Sequence, residues 1–194
     1  MKAERIKPKI KTLANEANDK SYIVHPSSNK LFIGIDNGVT GTIGCIYNNK
    51  TWFFEVPIKT EQNYTKKKGN ISRIVTSKLK EQFDLILNEE WPESIMCLIE
   101  RPMINAIRFA ASISAARALE TILIVVEGLQ IPYQYEDSKA WQGLLLPKGI
   151  KGGPALKEAS KTIGCRLFPQ HADLINKHGD ADGILLAEYC RRKF

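Results

Sequence analysis

The alternation of apolar and polar positions along this chain predicts a group of strands near residue 31. Residues 31–36 form a short apolar run that ends in Asp36, and a glycine-rich turn follows it. Residues 42–47 and 51–56 alternate as strands do, and Asn48-Asn49-Lys50 supplies a tight turn between them. Three consecutive strands in a meander are therefore expected to open the fold.

Helical spacing dominates the pattern after a polar, lysine-rich loop that is expected over residues 59–70. Apolar residues recur at helical intervals from Ile74 to Leu87, and the alanine- and leucine-rich stretch 106–127 predicts a largely buried helix. Further strands are expected over 94–99 and 131–135, and further helices over 138–142, 155–164 and 180–191. This order predicts an α/β fold in which helices cover both faces of a mixed five-stranded sheet.

One domain accounts for the length of 194 residues, because a chain of this size builds one sizeable core. Residues 1–30 are rich in lysine and are interrupted by Pro8 and Pro26, which predicts a flexible basic arm before a domain over residues 31–194. The chain shows no apolar run of membrane length and no secretory signal. No membrane partner is therefore expected.

Composition and charge favour a globular protein with a polyanionic partner. The chain is 43% hydrophobic and 25% charged, and its formal net charge is +7. Basic side chains gain affinity for nucleic acid by releasing counterions from phosphates, although a merely basic globular protein would have the same charge. The four cysteines form no CxxC pair, which predicts buried free thiols in a reducing, intracellular compartment.

Two carboxylates stand at the ends of predicted strands, where an unused acid is costly because the strand end is partly desolvated. Asp36 follows the first strand, and Glu100 follows the strand over 94–99. A structural role competes at each position: Asp36 can cap the turn that begins at Asn37, and Glu100 can pair with Arg101. Each acid taken alone is as compatible with that role as with a functional one.

Polar ligands also precede the last apolar helix, at His178, Asp180 and Asp182. If one helix spans them, His178 and Asp182 share a face, while Asp180 points about 200° away, toward solvent or into an N-cap position. All three can instead be capping groups of an ordinary amphipathic helix. Together with the strand-end acids, His178 and Asp182 predict an oxygen-rich site that favours magnesium or manganese over zinc. Such sites hold two ions about 4 Å apart on a phosphodiester.

Three segments, residues 34–41, 99–102 and 178–183, resemble the RuvC-like Holliday-junction resolvases. The resemblance is closest to the phage and chloroplast branches, and residues 156–160 and 167–169 also resemble a lysine-bearing helix and the following loop of that family. It implies an RNase H-like fold, a homodimer, and paired symmetric nicks across a four-way DNA junction. The cofactor implied is a pair of magnesium ions, for which manganese can substitute.

The resemblance also assigns roles to individual residues. By motif position, Asp36, Glu100 and Asp182 would be metal ligands, and His178 would be a further ligand or the general base. The usual bacterial pattern has two acids three residues apart at the last motif, whereas here a histidine precedes the last acid by four positions. Lys157 matches a lysine thought to contact the scissile phosphate, and a solvated helix lysine is its alternative.

Four further residues are predicted to contact DNA. Lys148 and Lys151 would reach phosphates from a flexible loop, and Lys139 precedes that loop. Met103 stands where members of the family carry an apolar wedge against junction bases, although packing in the core is the more common use of a lone methionine.

Three other functions compete with junction cleavage. Residues 36–42 also resemble the first phosphate loop of sugar kinases and actin-like ATPases, but those proteins need two such domains and a longer chain. A nuclease of the same fold that cuts RNA or an RNA–DNA hybrid is a closer alternative. A non-catalytic junction-binding protein would be expected to lack one of the acids, and all of them are present.

Overall fold

The computed structural model describes residues 29–63 and 69–194. The predicted basic arm, apart from Asn29 and Lys30, lies outside the described residues. The strands are β1 (Lys30–Ile35), β2 (Thr42–Tyr47), β3 (Lys50–Glu55), β4 (Ile58–Gln62), β5 (Asn70–Ile74), β6 (Ser94–Glu100) and β7 (Tyr133–Glu136). The helices are α1 (Thr76–Glu90), α2 (Phe109–Gly128), α3 (Ser138–Leu145), α4 (Gly153–Leu167), α5 (Ala172–His178) and α6 (Asp182–Lys193).

The central sheet has five strands in the order β3-β2-β1-β6-β7. β1, β2 and β3 pair antiparallel as a meander, whereas β6 runs parallel to β1 and β7 runs parallel to β6. This mixed sheet with helices on both faces is an RNase H-like fold, which confirms the predicted fold class. The parallel pairing brings the ends of β1 and β6 to the same edge of the sheet.

Both faces of β1 are buried, which explains its continuous apolar sequence. Ile33 packs on one face in a core that includes α1 and α2 residues such as Phe83 and Ile122. Phe32 packs on the other face, in a core built with α3, α4, α5 and α6 that includes Trp141 and Ile184. The predicted free thiols are confirmed, because all four cysteines are unpaired and only Cys165 is partly exposed.

Helix α6 lies directly against the sheet because glycines remove the side chains between them. A Cβ atom on Gly34 of β1 would lie 2.2 Å from the backbone nitrogen of Ala187, and one on Gly44 of β2 would lie 2.2 Å from the Cα of Ile184. The amide of Gly183 also donates a 3.0 Å hydrogen bond to Thr42 Oγ1. The N-terminus of α6 is thereby fixed beside the loop that follows β1.

The predicted loop over residues 59–70 is wrong, because residues 59–62 and residue 70 belong to the antiparallel pair β4–β5. Residues 64–68, which include the lysine run, lie outside the described part of the chain. The hairpin is largely exposed, and the carboxylate of Glu61 pairs with Lys59 and Arg73 across its surface. A two-stranded ribbon whose residues are mostly exposed shows little apolar alternation, so its sequence looks like that of a loop.

The prediction of a largely buried helix over 106–127 is also wrong. The buried residues of α2 are Ser112, Ala118 and three apolar residues in its second half, whereas Ile107, just before the helix, and Phe109, its first residue, are 93% and 70% exposed. The expectation of no membrane-length apolar run needs correction as well, since the helical segment Ala106–Gly128 has the length and composition of a membrane span. Its second half packs on the sheet through Ile122 and Val126, as a core helix does.

Candidate metal centre

Three aspartates converge at the edge of the sheet where β1 ends. Asp36 directly follows β1, Asp180 lies in the link between α5 and α6, and Asp182 is the first residue of α6. One carboxylate oxygen from each lies within 4.8 Å of the others. The close packing of α6 on β1 and β2 produces this convergence, since it brings the first turn of the helix to the end of β1.

The structure corrects the predicted arrangement of the last motif. Gly179 adopts a left-handed conformation (φ 101°) and ends α5 at His178, so His178 and Asp182 do not share one helix. Asp180 is not a solvent-facing group or the N-cap: it is 2% exposed and belongs to the aspartate cluster, and Ala181 occupies the N-cap position. The prediction failed because it extended one helical period across a glycine that ends a helix.

Glu100 lies beside the aspartate cluster at the end of β6. The register pairs Ile35 with Ile99, so the acid after each strand reaches the same edge of the sheet. Glu100 is close enough to Asp36 to raise the pKa of that carboxyl, after burial has raised it. Glu100 Oε2 accepts a 2.8 Å hydrogen bond from the indole nitrogen of Trp141, and Glu100 is not among the three residues that approach within 4.8 Å of one another.

Two basic side chains face the cluster. Lys157 Nζ donates a 2.9 Å hydrogen bond to Asp180 Oδ2 and is mostly exposed. His178 lies between two carboxylates, with Nε2 3.5 Å from Asp180 Oδ1 and Nδ1 3.6 Å from Glu55 Oε1. Glu55 was not predicted as a site residue, because an exposed acid at the end of an edge strand gives no signal in the sequence.

Burial and the neighbouring carboxylates raise the pKa values of these acids. Burial raises the pKa of Glu100 to about 7, and the indole hydrogen bond from Trp141 opposes that rise. Burial also raises the pKa of Asp182 to about 6, against the opposing hydrogen bond from Ser160. The pKa of Asp36 is raised well above its usual range by burial first and by the neighbouring carboxylates second. Such a group of acids is strained without a cation.

We expect the metal-free protein to lose stability as the pH rises from about 4 toward 7. The pKa of Glu100 rises on folding from 4.5 to about 7, so the folded chain keeps a proton that the unfolded chain releases at lower pH. The stability that this proton contributes is present below the unfolded pKa and is lost as the pH rises through the folded pKa. Because a tenfold change in proton affinity corresponds to about 1.4 kcal/mol, the expected loss is a few kcal/mol.

Urea denaturation in a chelator at several pH values measures this loss, and adding magnesium at pH 7 should reverse it. The Asp36→Asn chain is the control, because it removes one of the mutually repelling acids and should show a smaller loss. A free energy of unfolding that stays constant between pH 4 and 7 would contradict the expectation.

The donor set fits a divalent cation that prefers oxygen ligands. Asp36, Asp180 and Asp182 offer carboxylate oxygens in a small, largely desolvated space, and none of the described cysteines belongs to the cluster. Carboxylates select magnesium or manganese, whereas zinc sites favour thiolate and imidazole donors. Asp180 is therefore a candidate ligand that the sequence did not predict, and the glycines on each side of the Asp180–Asp182 segment are the signal that could have indicated a tight link.

The predicted DNA-contacting residues lie on exposed surface. Lys139 is in the first turn of α3, and Lys148 and Lys151 lie in the loop between α3 and α4. Met103 is 81% exposed, so its interpretation as a core residue is wrong. It stands in the segment between β6 and α2 with other exposed apolar side chains, among them Ile104 and Ile107.

The fold and the acidic centre together define a protein of RNase H-like fold with a candidate site for divalent cations. No protein-family model and no curated protein matches the chain. Among solved structures, it is similar to T. thermophilus RuvC in complex with a Holliday junction substrate, with 12% identity, a TM-score of 0.47 and coverage of 84% of this chain and 96% of that one.

The chain is also similar to the Fowlpox virus resolvase in complex with Holliday junction DNA, with 11% identity, a TM-score of 0.40 and coverage of 84% of this chain and 95% of that one. A third similar structure is the yeast mitochondrial Holliday junction resolvase, with 13% identity, a TM-score of 0.40 and coverage of 89% of each chain.

Proposed function

We propose that this protein is a magnesium-dependent endonuclease that cuts four-way DNA junctions. The observation that carries the proposal is the convergence of Asp36, Asp180 and Asp182 at a buried sheet edge, with Glu100 beside them. Burial raises the pKa of Glu100 and of Asp182, and the fold nevertheless holds these acids close together. Such an arrangement indicates a site that binds a cation. A cation bound by carboxylates at such a strand end suits phosphodiester hydrolysis.

In the proposed mechanism, Asp36, Asp180 and Asp182 would hold the metal, and Glu100 would complete the ligand set. The bound metal supplies Lewis-acid polarisation of the scissile phosphate and a lowered pKa for the attacking water. Lys157 is mostly exposed and lies against Asp180, so its ammonium group can turn to a phosphate oxygen. His178 faces Asp180 through Nε2. A neutral imidazole at this position can act as a base and accept a proton.

A nucleic-acid substrate suits the charge and the exposed side chains of this protein. The chain has a net charge of +7, and the exposed Lys148 and Lys151 provide contacts for phosphates. The exposed Met103 and its apolar neighbours offer side chains that can stack against unpaired bases at a branch point. Paired nicks on opposite strands require two such centres, so we propose a homodimer, which light scattering would identify by its mass.

The first experiment compares cleavage of a mobile four-way DNA junction, a linear duplex and an RNA–DNA hybrid in magnesium. The proposal expects symmetric nicks in the junction, little cutting of the linear duplex, and no cutting by the Asp36→Asn protein. Preferential cutting of the hybrid would identify RNA as the substrate, which is the alternative that the same fold allows. Tight junction binding without cleavage would make the protein a non-catalytic binding module.

A further inference from the structure

A fully buried indole supports Glu100. Trp141 on α3 is 0% exposed, and its Nε1 donates a 2.8 Å hydrogen bond to Glu100 Oε2. A buried indole N–H needs an acceptor, and here that acceptor is the strand-end acid beside the aspartate cluster. The bond fixes one oxygen of Glu100 and leaves the other oxygen for another partner.

A buried hydroxyl supports Asp182 in the same manner. Ser160 on α4 is 1% exposed; its Oγ accepts a 3.1 Å hydrogen bond from the Ala181 amide and donates to Asp182 Oδ1. Because the amide occupies one lone pair of the hydroxyl, the hydroxyl proton is directed to the carboxylate. Ser160 therefore fixes both the link that precedes α6 and the orientation of Asp182.

Both donors are neutral, and this distinguishes Glu100 and Asp182 from a structural acid in the same core. Glu188 on α6 is 4% exposed, and ion pairs with Arg191 and Arg192 neutralise its carboxylate. A neutral donor orients a carboxylate and stabilises its ionised form without cancelling its charge, so the charge stays available to a cation. Buried acids that are oriented but not neutralised are what a metal centre needs.

We propose that Trp141 and Ser160 are positioning residues that hold the carboxylates of Glu100 and Asp182 in the orientation that a divalent cation requires. This inference rests on the proposed metal site. Donors that orient metal ligands typically contribute a factor of about 10 to 100 in metal affinity. A donor that only satisfies buried groups would change the free energy of unfolding and leave metal affinity unaltered.

The test is calorimetric titration of magnesium, and of manganese, into the intact protein without DNA. Ser160→Ala should weaken metal binding by roughly 10- to 100-fold, and Ser160→Thr should restore it because the hydroxyl returns. The matched control is Ser112→Ala, because Ser112 on α2 is also buried and its hydroxyl exchanges hydrogen bonds with the backbone of Asn105. That control should bind metal as the unaltered chain does.

Trp141→Phe removes the indole donor and keeps an aromatic ring, and it should also weaken metal binding by roughly tenfold or more. Its control is Trp52→Phe on β3, in the core on the opposite face of the sheet. Thermal unfolding of each metal-free variant shows that it is folded, and the Ser160 series decides the question if Trp141→Phe does not fold. Equal metal affinity for unaltered, Ser160→Ala and Trp141→Phe chains would overturn the inference.

The outcomes separate this inference from the proposed function. A protein that binds metal through these supports but cuts no junction would contradict the proposed substrate and retain the positioning roles. If the protein cut junctions and Ser160→Ala bound metal with unaltered affinity, the proposed nuclease function would stand and the positioning roles would be contradicted. Absence of metal binding by the unaltered chain would overturn the inference.

Discussion

Asp182→Asn should reduce junction cleavage by about 1000-fold or more, while the protein stays folded. Asp182 is the first residue of α6 and one of the three aspartates within 4.8 Å of one another. The asparagine has nearly the same shape but no charge, so the site loses a ligand worth several kcal/mol of transition-state stabilisation. Single-turnover cleavage of a labelled four-way junction at saturating magnesium measures the change.

The control for this substitution is Asp173→Asn, because Asp173 is an exposed acid on α5. It should leave the cleavage rate within about twofold, since exposed charges away from the site contribute little. The metal-free Asp182→Asn chain should also be at least as stable as the unaltered one, since it removes a repelling acid. Retention of more than a tenth of the cleavage rate by Asp182→Asn would show that this carboxylate is not a ligand of the reacting centre.

Gly44→Ala should lower the free energy of unfolding by at least about 3 kcal/mol. The added Cβ would lie 2.2 Å from the Cα of Ile184 and 2.6 Å from its nitrogen, and both atoms belong to the backbone. Neither the central strand β2 nor α6 can yield without breaking the contacts that hold the core. Urea denaturation, followed by circular dichroism, measures the difference.

Gly143→Ala is the matched control, because Gly143 lies inside α3 and a Cβ added there meets nothing within 4 Å beyond the adjacent residues and backbone of its own helix. It should raise stability by up to about 1 kcal/mol, since alanine favours a helix interior over glycine. If Gly44→Ala folded with unaltered stability, the close contact between α6 and the sheet would not exist in solution. Should it fold with reduced stability, junction cleavage should also fall, because α6 carries Asp182.

The sequence predicted the sheet well, for a reason that particular strands make clear. β1 and β6 are buried in the middle of the sheet, so each is a nearly continuous apolar run whose end is marked by an acid. The hairpin β4–β5 was missed because its exposed residues carry no such pattern. The first half of α2 was misjudged because apolar composition does not reveal whether a partner surface covers it.

The candidate site could be predicted only in part. Asp36 and Glu100 were found because strand ends are visible in the sequence, and the parallel register brings them together. Asp180 was missed because Gly179 takes a left-handed conformation that turns the next residues inward. Trp141 and Ser160 could not be assigned to the site at all, since their hydrogen bonds join segments 41 and 22 residues apart along the chain.

The contact between α6 and the sheet also bears on how such a centre tolerates sequence divergence. Gly34 and Gly44 meet α6 through backbone atoms, so this contact, which sets the spacing between Asp36 and Asp182, involves no side chain of either glycine. Substitutions elsewhere in this core, at Ile163 for example, can change packing and stability without moving the two acids. As long as the two glycines are retained, substitutions can accumulate in the rest of the protein while the two acids keep their positions.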